Sequence, residues 1–246
     1  MTTPQQRGRR GVAWAVIGGI VLLAGIATVI IGAIAGPGGN AIPSVDASSP
    51  ATPAPTTSAP SVSADSVVDE SAGAQGWTPE PITRDAATYI RSALAAASTF
   101  DTALATRNEW LTYLDGWFTP DTRYPDDQRA DRMRAAQLEL RQGVVLPQET
   151  WDSLAARGSR VEASTSGDVS INQVPEDATG EMRIGTADVE MVFTQTDGAG
   201  GTSSYTETVR VSVQVLCGAS SVPTPNSAQR AGDCKVVRYF TEPAED

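Results

Sequence analysis

Apolar residues along this chain follow four successive patterns. From Val12 to Ala35 they run unbroken, VAWAVIGGIVLLAGIATVIIGAIA, 24 residues without a charge. From Gly36 to about Pro81 large apolar residues almost vanish. From Ile82 to Ala156 they recur at three and four, the period of a helix packed on one side. After Gly158 they alternate, the period of a strand with one buried face. These patterns predict one hydrophobic helix, a spacer, and an α+β domain with its helices first.

Within the domain, Thr83 to Leu104 is alanine-rich and places Ala86, Ile90, Leu94 and Ala97 at helical spacing. Thr106 followed by Glu109 predicts a capping box. Behind it Trp110, Leu111, Leu114, Trp117 and Phe118 form an apolar stripe that reads as core, and Thr119-Pro120 ends the helix. Pro125 opens another helix, DDQRADRMRAAQLELRQ, with acids first and arginines later, as the helix dipole favours. Gly143 is its expected C-terminal cap. Asp126, Asp127 and Asp131 are ordinary acids at a helix start, so no metal site is assigned there. Pro147 to Ala156 predicts a last short helix, stopped at Gly158.

Four strands follow, in a curved antiparallel sheet with one face covered and the other wet. The first carries Val161, Ala163, Thr165, Val169 and Ile171. The second carries Met182 and Ile184, then Ala187, Val189, Met191 and Phe193, with a phase slip at Gly185 that predicts a β-bulge. Asp197-Gly198 marks the hairpin to the third strand, which runs from Tyr205 through Val209, Val211, Val213 and Val215 to Cys217. The fourth is Lys235 to Thr241. Cys217 ends one strand and Cys234 begins the next, 16 residues lying between them (218–233). A disulfide there would fix the strand register and limit the unfolded chain by about 3 kcal/mol on chain-entropy grounds.

The long apolar run is sufficient to cross a bilayer: a helix of that length spans about 36 Å against a hydrocarbon core of roughly 30 Å. Arg7, Arg9 and Arg10 precede it and nothing positive follows until Arg84. Residues 1–11 are therefore expected in the cytoplasm and everything beyond residues 12–35 outside the cell membrane. Ala33-Ile34-Ala35 offers a rival reading as a signal-peptide cleavage site, but the run is longer than signal h-regions. Arg9-Arg10 lacks the rest of a twin-arginine pattern. Gly11, Gly18, Gly25 and Gly32 recur every seven residues, where small side chains could let two anchors associate. Residues 36–81, rich in Pro, Ala, Ser and Thr, cannot bury enough surface to offset their entropy and read as a disordered tether. The folded domain is then expected at 82–243.

Composition narrows the chemistry. The chain carries a net charge of −11 and no histidine. Without the three cytoplasmic arginines that charge becomes −14, which argues against nucleic acid or anionic lipid as a partner of the domain. Lacking histidine, the chain has neither the commonest general base nor the commonest metal ligand. No catalytic, cofactor or metal residues are assigned. Lys235 is the single lysine among 18 basic residues, a usage typical of high-GC bacterial codons.

The run Arg107-Asn-Glu-Trp110-Leu111-Thr-Tyr-Leu114, followed by Thr119-Pro120, resembles a stretch in membrane-anchored nuclear transport factor 2-like proteins of high-GC Gram-positive bacteria. Those proteins share the basic tail, single transmembrane helix, low-complexity linker and helix-then-sheet domain. Some are non-catalytic scaffold components of conjugation and type IV secretion envelope complexes. The resemblance implies a cone-like fold over about residues 83–243 and docking to other envelope proteins. Enzymes of that fold use pocket acids and tyrosines, so Asp101, Asp115, Tyr89 and Tyr113 are the residues an enzymatic or ligand-binding cone would employ. A third reading is a surface domain that recognises a wall component. For docking, two surfaces stand out: the wet sheet face with Glu162, Asp168, Glu190, Arg210 and Gln214, and the helix from Asp126 to Gln142.

Overall fold

The computed structural model describes residues 66–196 and 200–244. The expected transmembrane helix, the basic tail and the linker up to residue 65 lie outside the described residues. Four α-helices, α1 (Ala86–Ala96), α2 (Arg107–Asp115), α3 (Asp126–Glu139) and α4 (Gln148–Ala155), accompany one antiparallel sheet. Its strands are β1 (Phe100–Asp101), β2 (Arg160–Gln173), β3 (Met182–Thr196), β4 (Thr202–Leu216) and β5 (Lys235–Tyr239), in the order β1-β2-β3-β4-β5. The domain is thus α+β, and the sheet curls as a half-barrel.

Helix α1 lies on the concave face across β2, β3 and β4. Its N-cap Asp85 accepts the Thr88 backbone N–H, and Tyr89, Ile90, Ala93 and Leu94 are buried beneath it. Tyr239 of β5 donates its hydroxyl to the Ala93 carbonyl at 2.8 Å, pinning helix to sheet. At Gly185 a Cβ would come within 2.5 Å of Ile90 Cγ2, so glycine is what admits the helix there. The expected capping box forms on α2, with Thr106 and Glu109 each satisfying the other's backbone N–H. The stripe behind it is core: Trp110, Leu111, Leu114, Trp117 and Phe118 are all buried. Trp110 stacks on Trp151 of α4 at 5.6 Å between centroids, and Phe100 of β1 packs against both rings.

Several expectations are corrected. The first helix stops at Ala96 and does not reach Leu104, because Phe100 is fully buried as a strand residue opposite Val161. That short β1 makes the sheet five-stranded where four strands were expected. Gly185 carries no bulge, since β3 and β4 pair without interruption from Met182↔Leu216 to Thr196↔Thr202. The irregularity falls in β2, between Ser166 and Ser170, where Gly167 has φ 69°. The phase slip in β3 has another cause. Met182 faces the opposite side of the sheet, where it joins Val174, Leu216 and Val237 in a second small core with Ile184 packed against it. Gly143 is no cap: it sits inside a π-helical turn, Leu140–Val144, where a Cβ would collide with Thr241.

The folded part also starts earlier than Ile82. Residues 66–82 form a strap with a bridge between Val67 and Pro81 and a 3-10 turn at Ala72–Gln75. Trp77 anchors it, stacked on Tyr113 of α2 at 4.9 Å. One tryptophan and one buried acid hold this segment, which its low apolar content had assigned to the tether.

Candidate functional site

The strap delivers Glu80 into the domain, where it meets the only lysine of the chain. Glu80 is 2% exposed and Lys235 1%, and Lys235 Nζ lies 2.8 Å from Glu80 Oε1. Each partner is placed by a different element. Val68 N–H donates to the Glu80 carbonyl at 2.9 Å, fixing the strap. Lys235 is the first residue of β5, next to the disulfide that joins Cys217 and Cys234 (Cα–Cα 4.0 Å). The Cys234 N–H donates to the Thr83 carbonyl at 2.8 Å, tying the disulfide to the residue that follows the strap.

Around the pair, the ammonium and one carboxylate oxygen are fully engaged. Lys235 Nζ also donates to the Gly116 carbonyl and to Thr224 Oγ1, both at 2.7 Å. Its three protons therefore have three acceptors. Glu80 Oε1 accepts the Tyr89 hydroxyl at 2.6 Å and Gln229 Nε2 at 3.1 Å. Tyr113 accepts the Glu80 N–H and donates to the Thr78 carbonyl. Burial pushes the Glu80 carboxyl up, opposed by the Lys235 charge and by its hydrogen bonds. Burial likewise pushes the Lys235 ammonium down, opposed by Glu80. Tyr89 is raised by its own burial and then by the Glu80 charge. Perturbed titratable groups of this kind often mark active sites. Here the groups face one another, and no pocket described for the surface is lined by Glu80 or Lys235.

The four residues that a catalytic cone would use are not brought together as a site. Tyr89 and Tyr113 belong to the buried centre just described. Asp115 forms an ion pair with Arg141, and its carboxyl is raised by burial against that pairing. Asp101 accepts the Ala103 N–H at 2.8 Å and shapes the turn after β1. A cleft of about 210 Å³ opens between α3 and β5, lined by Asp121, Arg123, Arg132, Glu139 and Arg238. Its charges are largely paired internally, Arg123 with Asp121 at 2.6 Å and Arg238 with Glu139 at 2.8 Å. That volume is below the range of ordinary small-molecule sites, whereas a more open cleft of about 470 Å³, lined by Thr102, Thr106, Arg107, Trp151 and Asp152, falls within it.

Of the two expected docking surfaces, the sheet face is smaller than anticipated. Glu162, Asp168, Glu190 and Arg210 are exposed, and Arg210 pairs with Asp188 at 3.1 Å. Gln214 is buried instead, donating to Met182 Sδ at 3.2 Å, because residues 121–123 and the chain after β5 cover that end of the face. Helix α3 has no fully buried residue. Asp126 and Asp131 each pair with an arginine one turn on, Arg129 and Arg134. Sequence reasoning missed Glu80 altogether. The signal present was Lys235, the single lysine, placed at a strand start beside a cysteine.

No protein-family model matches the chain. No curated protein matches it either. Three solved structures are similar. An IcmL-like type IV secretion system protein from Legionella pneumophila aligns over 66% of this chain and 95% of its own, at 11% identity and TM-score 0.38. A periplasmic fragment of TraM aligns over 61% and 89%, at 11% identity and TM-score 0.36. CagV, a VirB8 homolog of the type IV secretion system of Helicobacter pylori strain 26695, aligns over 54% and 78%, at 16% identity and TM-score 0.28. At such values the likeness carries no argument about what this domain does.

Proposed function

We propose that this chain is a non-catalytic scaffold component of a cell-envelope complex, of the kind that serves conjugative transfer or type IV secretion in a high-GC Gram-positive bacterium. Residues 12–35 anchor it in the cell membrane with the N-terminus in the cytoplasm. The tether carries the folded domain on the extracytoplasmic side, where it docks other envelope proteins. One observation carries the reading: the domain's buried acid–base centre, Glu80 with Lys235, is filled by its own hydrogen-bond partners and opens on no described pocket. A centre closed in this way holds the strap, α1, β5 and the 218–233 loop together. The reading therefore assigns this centre to structure and places interaction on the exposed surface.

The proposal is tested by isolating the tagged full chain from membranes of its own host. Discrete envelope proteins should co-purify, and reversal of Glu162 and Glu190, or of Asp127 and Asp131 on α3, should lose them without loss of the domain's melting transition. A protein found in the culture medium with residue 36 as its N-terminus would refute the anchor. A turnover abolished by Asp101→Asn or Asp115→Asn would refute the scaffold.

A further inference from the structure

The two edges of the sheet are treated differently. At β2 the outer edge is occupied: β1 pairs with Arg160 and Val161, the Ala163 N–H donates to Thr99 Oγ1 at 3.1 Å, and Arg91 donates to the Gly167 carbonyl at 2.9 Å. The irregularity between Ser166 and Ser170 then breaks what remains of it. At β4 the outer edge is covered only over its C-terminal part, by β5 from Val213 to Leu216 and by the Phe240 N–H, which donates to the Ser212 carbonyl at 3.1 Å. From Thr202 to Arg210 every residue is exposed, and no described backbone group bonds to this edge.

We infer that the open edge of β4, Thr202 to Arg210, is a homodimer interface in which two copies of this chain pair β4 to β4 antiparallel about a two-fold axis at Thr206. The backbone direction along β4 is fixed at two points. Ser212 points its carbonyl outward to Phe240, and the Cys217 N–H points inward to the Glu181 carbonyl at 3.0 Å. Because β3 and β4 stay in register between these points, the even-numbered residues present their N–H and C=O groups to the open side. Those residues are Thr202, Ser204, Thr206, Thr208 and Arg210. Thr206 is the middle one.

A two-fold axis at Thr206 pairs Thr202 with the partner's Arg210, Ser204 with the partner's Thr208, and Thr206 with its own counterpart. All five outward positions of both copies are then satisfied, with on the order of ten backbone hydrogen bonds. Ser212 stays with Phe240. An axis at Thr208 would instead set Ser204 against a Ser212 already in use, and an axis at Glu207 would oppose two like charges. The register at Thr206 sets Tyr205 beside the partner's Glu207, with no like charges opposed, and makes a Thr/Ser ladder on the other face, a favourable cross-strand pairing. Proline, lysine and a bulge, three devices that protect solitary edges, are absent from this stretch, whose charges are Glu207 and Arg210. A second copy is the occupant that matches the open length, its composition and its centre together. The inference does not depend on the scaffold reading.

The test uses the full chain in detergent micelles. Thr206→Cys under mild oxidation should give a disulfide-linked dimer. Thr208→Cys should not, since its counterpart would stand about 13 Å along the strand. Thr206→Pro removes an N–H that β3 does not use, so it should leave the melting transition in place. It should weaken dimerisation about tenfold or more, as expected for losing the two central hydrogen bonds. A wild-type chain that is monomeric at high concentration overturns the inference. So does a dimer that survives Thr206→Pro unchanged, or a Thr206→Cys chain that cross-links only to a different protein.

Discussion

Strand β4 passes through two environments. From Ser212 to Leu216 it is buried on both faces, paired on both edges, and flanked by Lys235 at the start of β5. From Thr202 to Arg210 it is exposed throughout and paired on one edge only. Residue type already separates them in part, since Thr202 to Arg210 carries only Tyr205 and Val209 as apolar side chains whereas Val213, Val215 and Leu216 crowd the other half. What differs further is what the rest of the chain lays over the sheet. The proximal half receives β5, residues 121–123 and the chain after β5, which bond to Gln214 and Ser212. The distal half receives nothing among the described residues. Stability is therefore concentrated at one end of the sheet and available surface at the other.

The largest effect should come from breaking the buried pair. Lys235→Met leaves Glu80 buried without its cation and should cost about 3–5 kcal/mol in denaturant unfolding. Adding Glu80→Gln keeps an acceptor for the Tyr89 hydroxyl and removes the stranded charge, so the double variant should recover much of that loss. A double variant no better than the single would show that the pair is not the relevant unit.

The pH dependence sharpens the same point. Burial holds the Glu80 carboxyl above its usual 4.5, so the folded state binds that proton more tightly than the unfolded one. Its contribution to stability is full below pH 4.5 and is lost as pH rises through the folded value. The deficit of Lys235→Met relative to wild type should accordingly shrink as pH falls toward 4.5 and be greatest near neutrality. For Lys235 the folded value lies below the usual 10.5. The folded state gives up that proton more readily, and stability from this source rises between the folded value and 10.5. A Lys235→Met deficit that does not change between neutral pH and pH 4.5 would place the cost elsewhere.

A smaller loss is expected at Gly185, still in the proximal half. Gly185→Ala drives a methyl into Ile90 and should cost about 1–3 kcal/mol, with partial rescue by Ile90→Val. The smallest effect belongs to the distal half. Val209 is 39% exposed, and Val209→Thr should change stability by no more than about 0.5 kcal/mol in melting experiments. A large loss there would mean that the distal edge is covered.

Much of this was legible in the sequence, for identifiable reasons. The capping box, the Trp110 stripe, Pro125 and Gly158 are local signals, and local signals survive folding. The three long strands, the start of β5 and the Cys217–Cys234 bridge were readable from alternation and spacing. Gly185 was misread because its role is to admit Ile90 from 95 residues earlier, a contact that periodicity cannot show. Gln214 was placed in water because its strand alternates cleanly, whereas residues 121–123 and the C-terminal segment bury it. The Glu80 centre was invisible for the same kind of reason. Its two charges stand 155 positions apart, and Glu80 lies in a stretch whose composition signals disorder.

The central claim is that the buried centre builds the domain and performs no chemistry. The most direct measurement places Glu80→Gln/Lys235→Met in the full chain, confirms a cooperative melting transition, and scores co-isolation with envelope proteins in the native host. A folded double variant that still recovers the same partners at wild-type level is the result this account predicts. A folded double variant that has lost them, or has lost a turnover the wild type possesses, would contradict it.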